Sequence, residues 1–233
     1  DTGDAVSYEY SWSRDGFDAG ITSATVSASE TSGGEVWTCA ATATDGIDSG
    51  SPGVSGSVTV DQTPWLIYAQ GDYAGACSGF DALLAADAAD VDALRGKAWC
   101  TLKQLQGAAA VTAFQALLAV DSTVADGWVG LSAAFSLTGD HLDAADAAQS
   151  ALDLDASYSS DHDGLDAEDV RVALARALVL GGDLIGSERA LDELSTSHGL
   201  NMHDPESWAF GTESWDSYQV AALAYLQSYQ ESM

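Results

Sequence analysis

Apolar and polar positions alternate in the first quarter of this chain and recur at three- and four-residue spacing in the rest. Alternating runs occupy residues 6–12, 22–29, 35–42 and 54–60, each bounded by Gly, Asp, Ser or Pro. That pattern predicts short antiparallel strands in a small β-sandwich, with Trp12 and Trp37 as core anchors. From Thr63 onward Ala and Leu dominate and the period becomes helical. The break at Asp61-Gln62-Thr63-Pro64 is the predicted domain boundary, and Pro64 suits the first turn of a helix. The expected fold class is therefore multidomain β + α.

The helical part repeats. Ala76, Ala110 and Ala144 fall 34 residues apart, as do Phe80, Phe114 and Ala148. Leu84, Leu118 and Leu152 follow the same spacing, and so do Asp87, Asp121 and Asp155. Gly71-Asp72 and Gly139-Asp140 mark equivalent inter-helix turns two periods apart, and Gly182-Asp183 marks a fourth. A 34-residue helix-turn-helix period resembles the tetratricopeptide repeat (TPR), an all-α solenoid of stacked helix pairs. The proline usual at the repeat end is replaced by Ala88, Ser122 and Ala156. About four repeats are expected over residues 63–196, with an insertion near 157–167. A C-terminal loop and capping helix fill residues 197–233.

Residues 1–62 resemble a family of immunoglobulin-like surface repeats found in tandem in bacterial secreted proteins. The resemblance rests on Gly3-Asp4-Ala5-Val6, on Tyr8, Tyr10 and Trp12, and on Asp15-Gly16. It continues with Gly34-Glu35-Val36-Trp37-Thr38-Cys39, Asp45-Gly46 and Gly50. It implies an Ig-like sandwich, here short of its first strand, and an inter-strand disulfide whose other half this sequence lacks. Cys39 is thus an unpaired or intermolecular thiol candidate. Three readings stay open: a simple loss of the partner cysteine, a longer natural chain, or a strand supplied by another subunit.

Charge narrows the function. Seven Lys and Arg face 36 Asp and Glu, for a formal net charge of -29. Such a polyanion repels nucleic acid and anionic lipid and attracts cations. No stretch is long and apolar enough to span a membrane. Carboxylates are hard ligands, so Ca²⁺ is the candidate cation, with Asp1, Asp4, Asp45, Asp48, Asp161 and Asp163 as candidate ligands; none lies in a twelve-residue helix-loop-helix pattern. A solvated acidic surface or helix caps explain the same residues. No cofactor is required by any motif. Cys77 and Cys100 fall on neighbouring helices and form a candidate disulfide in an exported protein, or two buried thiols in a reducing compartment.

No nucleophile motif, zinc motif or phosphate loop is present, so the expectation is a protein that is not an enzyme. Trp208 and Trp215 flank a polar loop and are interface candidates. The resulting expectation is an exported, extracellular or cell-surface scaffold with a leader absent or already removed. Its partner is another protein or further copies of itself, in a filament built by strand or head-to-tail contacts. The alternative is a carbohydrate-binding or accessory module of a secreted system.

Overall fold

The computed structural model describes residues 6–27, 30–194, 198–210 and 212–232. The chain divides into two compact units, residues 1–67 and 68–233.

The first unit is one open sheet. Strand β1 (Ser7–Arg14) pairs antiparallel with β3 (Val36–Thr44) along its whole length, from Ser7 opposite Thr44 to Arg14 opposite Trp37. A two-residue turn, Asp15-Gly16, leads into β2 (Phe17–Asp18). Both turn residues have positive φ, at 52° and 84°, as a type I′ hairpin demands. On the other side of β3 lie β4 (Gly53–Val54) and β5 (Val58–Thr59). The expected sandwich is not what these strands form. Residues 22–27 make no strand: Ser23 Oγ donates to the Thr25 carbonyl, and the Ser23 carbonyl accepts from Trp12 Nε1 at 2.9 Å. Side chains that hydrogen-bond the local backbone in this way compete with a ladder. One layer cannot bury both its faces. Trp37, 5 % exposed, is the sole buried residue of this unit among the described ones, while Phe17, Val54 and Val58 stay exposed.

The second unit is a stack of helix pairs. After the short α1 (Pro64–Ala69), which runs across the boundary between the units, come α2 (Tyr73–Ala86), α3 (Val91–Lys103), α4 (Gly107–Val120) and α5 (Ala125–Thr138). Next are α6 (His141–Leu154), α7 (Ala167–Gly181) and α8 (Leu184–Leu194). A short hairpin of β6 (Ala209–Phe210) and β7 (Glu213–Ser214) precedes α9 (Tyr218–Ser232), which packs on α7.

The 34-residue period has a physical cause at three levels. After α2, α4 and α6, Asp87, Asp121 and Asp155 turn the chain in the same way. Each Oδ1 accepts the backbone N–H two residues on, at 2.9–3.0 Å. An aspartate that caps its own turn does the work of the missing proline. Between repeats, the Phe80 ring lies against Gly96 and the Phe114 ring against Gly130, so close that a Cβ at either glycine would overlap the ring. Within repeats, the left-handed position of the inter-helix turn is Gly71, Gly139 and Gly182, with φ between 83° and 87°. In the second repeat that position is Leu105, with φ of 59°.

Candidate functional site

First helices α3, α5 and α7 pack on one another as well as on their sequence neighbours, so they form the inner layer of the stack. In a solenoid that layer lines the concave face. On α3, Arg95, Trp99 and Lys103 recur at four-residue spacing and share one side of the helix. Their contacts fix that side as the one turned toward α5 and toward the chain between α6 and α7. Trp99 Nε1 donates to Asp126 Oδ2 at 2.6 Å, near the start of α5. The Lys103 ammonium lies 6.0 Å from the Trp99 ring centroid.

The connection from α6 to α7 spans twelve residues, where those from α2 to α3 and α4 to α5 span four. The extra length is a hairpin. Ser159 bridges Asp166, and Ser160 N–H donates to the Leu165 carbonyl at 2.7 Å. Gly164, with φ of 67°, sits in the tip. Arg171 holds the hairpin base through the Ala156 carbonyl at 2.8 Å. The hairpin turns inward. Asp163 accepts from Tyr68 Oη at 2.9 Å and pairs with Lys103 Nζ at 2.8 Å, its side chain only 6 % exposed. His162 Nε2 lies 3.3 Å from the Arg95 guanidinium, which also pairs with Asp92. Tyr158, 4 % exposed, donates from Oη to Asp126 Oδ1 at 2.5 Å. Burial first, then the Asp163 carboxylate, push the Tyr68 phenol far above its ordinary range. Burial and the neighbouring Asp126 do the same to Tyr158.

Two of the carboxylates expected at calcium are held by groups of the chain itself. Asp163 is committed to a tyrosine and a lysine. Asp45 Oδ1 accepts the N–H groups of Ile47 and Asp48 at 2.9 and 2.8 Å, which hold its carboxyl below the usual range. Asp48 and Asp161 are exposed, and Asp1 and Asp4 lie outside the described residues. Among the described residues no group of three or more His, Cys, Asp or Glu is placed to hold a metal ion. The sequence pattern missed the hairpin's role. Its one signal was a buried-type aromatic, Tyr158, beside acids in a non-periodic segment opposite the cations of α3.

Cys77 and Cys100 are joined as a disulfide between α2 and α3, Cα atoms 5.6 Å apart. Cys39 is free and half-buried. It lines a groove of about 460 Å³ on the sheet with Trp12, Val26, Trp37, Val58 and Val60. Trp12 and Trp37 meet edge to face at 6.4 Å and 67°. In the C-terminal hairpin, Trp208 Nε1 donates to the Asn201 carbonyl at 2.8 Å. Trp215 lines a shallow depression with Ala224, Gln227 and Ser228 of α9. Between α5 and α7 the inner face keeps an apolar groove of about 190 Å³, lined by Val129, Ala133, Val170 and Ala173 and edged by Leu165 and Asp169.

Solved structures share this arrangement of helices. MamA residues 41 to the end from Desulfovibrio magneticus RS-1 match at a TM-score of 0.50 and 20% identity, over 57% of this chain and 70% of that one. A crystal structure of MamA protein matches at a TM-score of 0.52 and 18% identity, over 72% of this chain and 87% of that one. A thermophilic TPR protein from Thermus thermophilus aligns at 18% identity over 72% and 87% of the two chains, with a TM-score of 0.46. No protein-family model and no curated protein matches the chain. The class defined by the MamA likeness and by the 34-residue packing is a TPR-like helical-repeat solenoid, preceded by a small antiparallel sheet.

Proposed function

We propose that this chain is a non-catalytic scaffold whose helical-repeat unit binds a protein segment along its concave face. The observation that carries the reading is the inner row of Arg95, Trp99, Lys103 and Asp126, continued by the apolar groove at Val129, Ala133 and Val170. Charged and aromatic side chains beside an apolar slot are what an interface anchor uses. The partner is another protein or a further copy of the chain. β2 pairs only with Ser13 and Arg14 of β1, so among the described residues no strand covers the outer side of residues 7–11. That side and the exposed apolar groove beside Cys39 favour copies, because unpaired strand edges add strands. Export to a cell surface is supported by the Cys77–Cys100 bridge, which persists in oxidising compartments.

Site-specific photo-crosslinking in the source cells tests the concave face. A crosslinker at Ala133, on the groove, should trap a defined protein, whereas one at Gln115, exposed on α4, should not. Equal trapping at both positions would sink the reading. Electron microscopy of the native protein tests assembly: regular fibres support copies as the partner, and single particles with and without calcium exclude a homopolymer.

A further inference from the structure

The side chains of Asp163 and His162 at the hairpin tip reach the inner face. Asp163 is nearly excluded from water and held by a lysine ammonium and a tyrosine hydroxyl, and Tyr158 takes one oxygen of Asp126 while Trp99 takes the other. A carboxylate so held is the local equivalent of a bound ligand: charge-assisted, hydrogen-bonded at both oxygens and desolvated. The connection between the helices does not need the hairpin's length. The connection Asp87-Ala88-Ala89-Asp90 joins the corresponding helices of the first two repeats with four residues. Removing residues 158–165 would leave Asp155-Ala156-Ser157-Asp166, nearly the same sequence at the same length. The Asp155 turn and the Asp166 cap of α7 would both be retained.

We infer that the hairpin of residues 159–166 is an intramolecular ligand that occupies the α3 side of the concave face and must leave before a partner can bind there. The inference rests on the concave face being the binding face. It adds the chemistry of the partner: a segment that replaces the hairpin supplies a carboxylate to Lys103 and Tyr68 and a hydrogen-bond donor to Asp126. Because Lys103 and Arg95 are two of only seven cations in a chain of charge -29, few other surfaces of the protein compete for that carboxylate.

The probe is a fluorescein-labelled cyclic peptide carrying residues 157–166, and the readout is anisotropy. The full chain should bind it at least about tenfold more weakly than a chain lacking residues 158–165, and Lys103→Met in that shortened chain should weaken binding about tenfold or more, the size of one lost charge-assisted hydrogen bond. A folded shortened chain that binds no better than the full chain overturns the inference, as does indifference to Lys103→Met. If the shortened chain does not fold, amide exchange on full-length Asp163→Asn decides. Exchange at Ser160 should rise about tenfold with α3, α5 and α7 unchanged. No change at Ser160, or equal acceleration throughout the unit, overturns it. The probe is the protein's own segment, so a negative result leaves the Ala133 crosslinking test intact. Peptide binding without crosslinks at Ala133 would instead leave the hairpin as the groove's occupant and remove the outside partner.

Discussion

Single residues carry the repeat, and one of them departs from it. Leu105 stands where the other three inter-helix turns have glycine, yet it takes the same left-handed backbone, with its side chain 75 % exposed. A side chain with a Cβ is strained there by about 1 kcal/mol or more. Leu105→Gly is therefore expected to stabilise the repeat unit by about 0.5–1 kcal/mol, net of the added freedom of the unfolded chain. Chemical denaturation that shows no gain would mean that the strain is relieved elsewhere. The opposite change belongs at the helix contacts. Gly96→Ala or Gly130→Ala forces a methyl into the buried ring of Phe80 or Phe114, and each should cost about 1–3 kcal/mol. The two glycines and the two phenylalanines are 34 residues apart. The phenylalanine period was legible in the sequence; the glycine period was equally present, but its meaning needed the ring that it faces.

At the level of elements, the disulfide fixes α2 to α3, at the end of the stack where α1 is only six residues long. A short first helix buries little, so the staple replaces packing that the terminal pair lacks. Reduction in a Cys39→Ser background should lower stability by roughly 2–4 kcal/mol through the entropy returned to the unfolded chain. A melting temperature unmoved by reductant would show that helix packing alone holds this end. The repeat and its inter-helix turns were legible in the sequence because period and turn residues agree with one another. The strands were so only in part. The two long strands alternate clearly and pair along their length. Residues 22–27 alternate too, yet they run as irregular chain, where Ser23 Oγ bonds the Thr25 carbonyl and the Ser23 carbonyl takes the Trp12 indole. Alternation describes a surface with two sides and does not say whether a second layer covers one of them.

At the scale of the whole molecule, four tyrosines tie distant elements of the repeat unit together. Tyr68 meets Asp163, Tyr158 meets Asp126, Tyr218 meets Ser187, and Tyr229 meets Glu168. The phenol of each is raised above its ordinary value. Burial is the leading cause for the first three, and the Glu168 hydrogen bond for Tyr229, which is pushed up to about 12. A folded-state value above the unfolded one means that the folded protein holds the proton more tightly. The stabilisation is complete below the unfolded value, near pH 10, and is lost as pH rises past it. Stability should therefore fall steeply between about pH 10 and 12. Absorbance at 295 nm should show Tyr68 and Tyr158 ionising only well above the ordinary tyrosine range. Their ionisation near pH 10 would refute the contacts with Asp163 and Asp126.

The sequence by itself carries the local order of this protein: the change from alternating to helical period, the 34-residue repeat, the aspartates that recur with it, and the cysteines on adjacent helices. These follow from spacing within a few turns of chain, and period reports such spacing directly. Tertiary structure alone decided two things. The β unit is one open layer, because a layer's partner is a matter of what packs against it. The insertion folds inward, so that Asp163 meets Tyr68 from 95 residues away. That meeting depends on how the helix pairs stack on one another, which no local pattern records.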